Sequence, residues 1–198
     1  TLYGRKLGGP VLTVGAGGDA ARYLFEHDKG KWKKLGPTPE ALRWNEFYAD
    51  YVEPWGCYVI SGKKGWLKYW PATGKTEPID APKELTRCQT VSYDHAGRVV
   101  ITLQPIKVSK YRRDVVPWAL DIETMKWTKL DPPKPWPRGQ TVGAWGSLWY
   151  DPHHNVHLLI NDVRRDRQAT FDGGVTETWA YRYKPAARTG ADKTEAKE

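Results

Sequence analysis

The side chains best equipped for chemistry are cations gathered in two segments. Pro105 to Asp114 carries Lys107, Lys110, Arg112 and Arg113, and Asp162 to Gly174 carries Arg164, Arg165 and Arg167. A third stretch adds Trp136, Arg138 and Gln140, and the pair Lys63-Lys64 sits in a shorter loop. Guanidinium forks grip carboxylate, sulfate or phosphate at two points, and neighbouring rings stack on sugars or guanidinium groups. All of these except Gln140 and the Lys63-Lys64 pair are the candidate ligand- or partner-binding residues. The competing reading is a solvated face on which Asp114, Asp166 and Asp172 neutralise the arginines, as charge runs on surfaces commonly do.

Other reactive types are less well arranged. His153, His154 and His157 stand near Asp151, and metal ligation needs clustered imidazoles and carboxylates. His153 and His154 fall in a tight turn, however, and His157 on the strand after it. Turn chemistry and a packed strand histidine are therefore expected, with no metal; His95 occupies a matching turn earlier in the chain. Cys57 opens one strand and Cys88 precedes another, which puts them on opposite rims, so free thiols are expected. No Gly-x-Ser-x-Gly elbow, phosphate-binding loop, paired-glycine dinucleotide turn or zinc spacing occurs. No catalytic residue and no cofactor is assigned.

The elements that must position these residues are short strands. Eleven Trp and eleven Tyr stand against three Phe and one Met, with 15 Pro and 19 Gly spread between short apolar runs. Aromatic and β-branched side chains suit a pleated surface, and frequent Gly and Pro suit frequent turns. No stretch approaches the roughly 20 apolar residues that cross a bilayer as a helix. The chain opens on Thr1 without a charged-then-apolar leader, which fits a processed protein or a piece of a longer one. A net charge of +8 favours anionic partners in general, without a pattern that singles out nucleic acid. Residues 185–198 lack aromatic bulk and read as a disordered tail.

A hairpin unit recurs. Tyr23-Leu24-Phe25 leads through Asp28-Lys29-Gly30 to Lys31-Trp32-Lys33-Lys34-Leu35. Leu67-Lys68-Tyr69 leads through Ala72-Thr73-Gly74 to Lys75 to Ile79, and Trp118-Ala119-Leu120 through Glu123-Thr124 to Lys126-Trp127-Thr128-Lys129-Leu130. Trp179-Ala180-Tyr181 begins a fourth copy that stops at Lys184-Pro185. The copies start 44, 51 and 61 residues apart (Tyr23 to Leu67, Leu67 to Trp118, Trp118 to Trp179). Thr90 to Asp94 and Ser147 to Asp151 each end in Tyr-Asp, then a turn, then a dense apolar strand at Val99 to Leu103 or Val156 to Ile160. Strand-only units with a period of about 40 to 50 residues are what four-stranded propeller blades show. An ordinary β-sandwich is the alternative.

Tyr150-Asp151, Thr178-Trp179-Ala180-Tyr181 and Trp127-Thr128-Lys129-Leu130 resemble the Kelch family of β-propellers, over roughly residues 9 to 184. The family's glycine pair is visible only as Gly17-Gly18, weaker at Ser61-Gly62, and missing after Leu103 and Ile160. The resemblance implies an all-β, Kelch-like propeller of about three and a half four-stranded blades, at 9–35, 46–79, 89–130 and 145–184 within a unit spanning 1–184. With strands lettered A (innermost) to D, the first blade lacks A and the last lacks D, and Leu2 to Leu7 is the expected donor of that missing D strand. So few blades do not close a ring, so the chain is expected to belong to a larger ring of six or seven. The cationic segments are then B–C and D–A loops sharing one face.

The function implied is non-catalytic recognition or scaffolding of a protein or an anionic ligand such as a glycan, with the remaining blades as a further partner. The alternative is a propeller domain or subunit of an enzyme, sugar-active or part of a redox assembly. Some Kelch-like propellers are copper radical oxidases, but neither Cys57 nor Cys88 makes a match that carries this over. Resemblance to bacterial members implies a periplasmic or secreted location.

Overall fold

The computed structural model describes residues 2–4, 9–14, 17–42, 47–62, 65–85, 88, 90–107, 113–131, 147–163 and 175–183. These form four antiparallel sheets. The first joins β1 (Leu2–Gly4), β2 (Gly9–Val14), β3 (Ala21–Glu26) and β4 (Lys31–Pro37) in chain order. The second joins β5 (Phe47–Val52), β6 (Cys57–Gly62), β7 (Gly65–Trp70) and β8 (Lys75–Ile79). The third holds β9 (Ser92–Asp94), β10 (Val99–Lys107), β11 (Arg113–Asp121) and β12 (Trp127–Lys129). The fourth holds β13 (Ser147–Asp151), β14 (Val156–Val163) and β15 (Val175–Tyr181). No described helix is long and apolar enough to cross a membrane.

Turn chemistry sets the hairpins. The residue just before the second strand takes a left-handed conformation at Gly56, Arg98 and Asn155, as do Gly30 and Gly74 just before β4 and β8 and Met125 two residues before β12. Glycine fills this slot without a Cβ penalty, whereas Arg98 and Met125 carry the cost of a side chain there. Asp side chains close several turns: Asp94 Oδ1 accepts from the Gly97 amide at 2.6 Å, and Asp121 Oδ1 accepts from the Glu123 and Thr124 amides.

β9, the first strand of the third sheet, lies against both β5 and β13, the first strands of the second and fourth. Between the second and third sheets Val52, Val59, Trp66 and Ile79 meet Val91, Tyr93, Val100, Leu120 and Ile122 in the largest core cluster. The tryptophans pin this seam. Trp127 packs edge-on to Trp66 with ring centres 4.8 Å apart, and donates its indole N–H to the Asp80 carbonyl at 2.8 Å. Trp66 donates to the Leu85 carbonyl and Trp55 to that of Ile122. Trp66 is buried and Trp55 and Trp127 half-buried, and the one polar atom of each indole stays satisfied.

The first and second sheets are joined by a buried cation. Arg22 donates from Nε to the Pro37 carbonyl at 3.0 Å and from Nη1 to the Pro71 carbonyl. It shares this seam with Tyr69, whose hydroxyl is raised by burial against the opposing pull of the guanidinium.

The described part of the expected donor, Leu2–Gly4, does not add to the last sheet. Leu2–Gly4 pairs with β2 of its own sheet, Leu2 facing Val11 and Gly4 facing Gly9, and so supplies the first strand that the sequence reading left out of this sheet. The cause is proximity: an antiparallel hairpin over a short connection loses little loop entropy, far less than crossing to the last sheet. The tail 185–198 lies outside the described residues.

Candidate functional site

Of the candidate binding residues, only Lys107 and Arg113 lie in described strands. Lys107 ends β10 and Arg113 starts β11, directly opposite each other in register. Lys110, Arg112, Trp136, Arg138, Arg164, Arg165 and Arg167 lie outside the described residues. The segment that holds Arg164, Arg165 and Arg167 is bracketed by the pair Val163 and Val175, which closes the β14–β15 ladder as Lys107 and Arg113 close that of β10–β11.

At the seam between the third and fourth sheets a polar cluster forms that the sequence did not reveal. His157, on β14, approaches Ser92 Oγ with Nδ1 at 3.1 Å and Asp94 Oδ2 with Nε2 at 3.5 Å. Tyr150 stands beside it, ring centres 5.2 Å apart, and donates its hydroxyl to Asn155 Oδ1 at 2.8 Å. Burial alone would raise the Asp94 carboxyl, but the nearby His157 ring and the Gly97 amide outweigh it and hold the group below the usual range. Serine, histidine and aspartate are the types of a hydrolytic triad. Here all three are buried to 1% exposure or less, so no substrate reaches the serine. The cluster is a clamp between sheets.

The clue in the sequence was positional. Val99 to Leu103 and Val156 to Ile160 are matching buried runs, and His157 stands where the third sheet has Val100. A polar side chain in a buried run requires a partner. A parallel tie joins the second sheet to the third, where Asp50 accepts from the Tyr93 amide at 2.7 Å and from the Tyr51 amide at 2.8 Å. His153 and His154 occupy the turn expected of them: both amides bond Asp151 Oδ1, and His154 Nδ1 meets Asp151 Oδ2 at 2.6 Å. No group of three or more His, Cys, Asp or Glu among the described residues is placed to hold a metal. Cys57 and Cys88 are buried and share no disulfide.

On the rim of the strand-to-strand turns, at the opposite end of the third sheet from Lys107 and Arg113, lies a groove of about 440 Å³. Its walls are Gly97, Arg98 and Val99 on one side, Ala119, Asp121, Thr124, Lys126 and Thr128 on the other, and Tyr183 just past β15. Arg98 Nε meets Glu123 Oε1 at 2.6 Å, so the cationic character of this rim is partly neutralised.

No protein-family model and no curated protein matches the sequence. Among solved structures, a GH74 xyloglucanase from Xanthomonas campestris is similar, at 14% identity over 86% of this chain with a TM-score of 0.51. The tricorn protease aligns at 11% identity over 86% of this chain with a TM-score of 0.46. The chain spans 26% of the length of the xyloglucanase and 16% of the protease. The xyloglucanase is a propeller-containing fold, and likeness to it carries the fold alone: the described residues form an all-β structure of four antiparallel sheets with a propeller-like arrangement.

Proposed function

We propose that this chain is a Kelch-like recognition or scaffold module, a part of a six- or seven-bladed ring that presents the B–C and D–A loops of one face to a protein or an anionic ligand. What supports the reading is the paired placement of Lys107 and Arg113 at the open end of the third sheet, with an arginine-rich loop leaving the matching end of the fourth. Cations on neighbouring loops of one face reinforce each other's field and attract anions. The polar clusters that lie inside the described sheets hold seams together and leave binding to the rim. The xyloglucanase likeness, at 14% identity, brings nothing of that enzyme's substrate to this chain. A location outside the cytoplasm belongs to this proposal and rests on the Kelch resemblance.

The test is titration of a sulfated oligosaccharide into the protein at low and high salt. Affinity is expected to fall about ten-fold or more between 50 and 300 mM salt as the Debye length shrinks. The combined variant Arg164→Gln, Arg165→Gln, Arg167→Gln is expected to lose most of that dependence. Absence of binding, or an unchanged salt response in the variant, overturns the reading.

A further inference from the structure

In each sheet the second and third strands close on a last residue pair: Val14 with Ala21 in the first, Gly62 with Gly65 in the second, Val163 with Val175 in the fourth. The third sheet closes instead on two cations, Lys107 with Arg113. β10 and β11 are nine residues long against six for β2, β3, β6 and β7. They run well past the three pairs that β9 and β12 each make with them. Ile106, just before Lys107, is 40% exposed, which puts the end of this ladder at the surface. Opposite positions of an antiparallel pair share one face, so Lys107 and Arg113 share one face and Ile106 and Asp114 the other. Asp114, the nearest carboxylate along the chain, therefore stands on the wrong face to neutralise them. Like charges directly opposite each other destabilise a ladder, and an anion between them turns that repulsion into attraction.

We propose that Lys107 and Arg113 form a clamp for a phosphate monoester, a doubly charged tetrahedral oxyanion, at the B–C end of the third sheet. The count of charges and of oxygens selects this ligand. A carboxylate or a sulfate ester carries one negative charge and leaves one cation of the pair uncompensated. A phosphate monoester carries about −1.5 to −2 at pH 7 and answers both. Its three terminal oxygens also match the donors. The guanidinium fork takes two of them and the compact ammonium the third, and the ester oxygen is left to carry the rest of the ligand. A carboxylate has two oxygens in all, which the arginine alone satisfies. The clamp names the anion for one point of the proposed binding face, and it rests on that reading of the face.

The experiment compares phenyl phosphate with phenyl sulfate, two esters of one shape that differ in charge, by calorimetric titration into the full chain at about pH 7.5 and about pH 5. Phenyl phosphate is expected to bind saturably, and about ten-fold or more tighter than the sulfate at the higher pH. The second ionisation of a phosphate ester lies near pH 6, so at the lower pH the preference should shrink to about two-fold or less. Lys107→Gln should weaken phosphate binding about ten-fold and erase the preference, and Arg113→Gln should do the same if the first variant folds poorly. Without ligand, each variant should melt no lower than the wild type, because it removes a like-charge pair. Equal affinities for the two esters at the higher pH, a preference undiminished at the lower, a lower melting temperature in both variants, or wild-type affinity in a folded variant overturns the inference. Salt-dependent glycan binding without any phosphate preference overturns the clamp alone. A phosphate preference that survives the loss of glycan binding overturns the reading of the arginine-rich loop alone.

Discussion

Replacing Gly74 by alanine tests whether Arg22 holds the first two sheets together. Gly74 sits at φ +78, and a Cβ there would lie 2.7 Å from Arg22 Nη2, 2.8 Å from Cζ and 3.1 Å from Nη1. Gly30 occupies the equivalent turn position at φ +59, with nothing within 4 Å of the added carbon. At both sites alanine incurs a left-handed backbone cost of about 1–2 kcal/mol, offset by about 0.5–1 kcal/mol of reduced unfolded-state entropy. At Gly74 the guanidinium must also move, and its bonds to the Pro37 and Pro71 carbonyls break or distort. Charge-assisted bonds of this kind contribute about 1.5–3 kcal/mol each, and their loss leaves a buried cation. Gly74→Ala should therefore cost about 3 kcal/mol more than Gly30→Ala. For a chain of this size that separates the two melting temperatures by roughly 6–12 °C. Thermal melts followed by tryptophan fluorescence measure the difference, and Arg22→Met combined with each glycine variant should abolish it. Equal melting temperatures for the two single variants would refute the bridging role of Arg22.

Acid stability should report the clamp between the third and fourth sheets. Because the Asp94 carboxyl is held below its ordinary value, its contribution is present above the unfolded pKa near 4 and disappears as pH falls through the folded value. Asp94→Asn should flatten the stability profile below about pH 4, and a profile identical to that of the wild type would contradict the arrangement. Thiol labelling should separate native from unfolded chains. Burial pushes the Cys88 thiol up to about 11, against a weaker opposing bond from Thr102, so at pH 8 only about one part in a thousand is thiolate. Both cysteines should react with a disulfide reagent only on unfolding, and fast labelling of native protein would be the adverse result.

What the sequence made legible was whatever repeats within one hairpin. Leu120 pairs with Trp127 and Phe25 with Trp32, so the recurring spacing of aromatic residues reads out as a cross-strand ladder register. Turn residues marked the boundaries well, because Asp, Asn and Gly act through atoms two or three residues away. β1 escaped because Leu2-Tyr3-Gly4 is too short to carry a period, and only pairing with Gly9–Val11 makes it a strand.

The contacts that join sheets were illegible for a different reason. Ser92 and His157 are 65 residues apart, and Arg22 and Pro71 are 49 apart, while the periodicity that identifies a strand says nothing of which side chain crosses to the next sheet. Such contacts still leave a trace as polar residues in otherwise apolar runs: His157 within Val156 to Ile160, and Arg22 between Ala21 and Tyr23. Burying either without a partner would cost more than most single packing contacts contribute. Each trace therefore predicts an acceptor on the neighbouring sheet, and the structure supplies one in both cases.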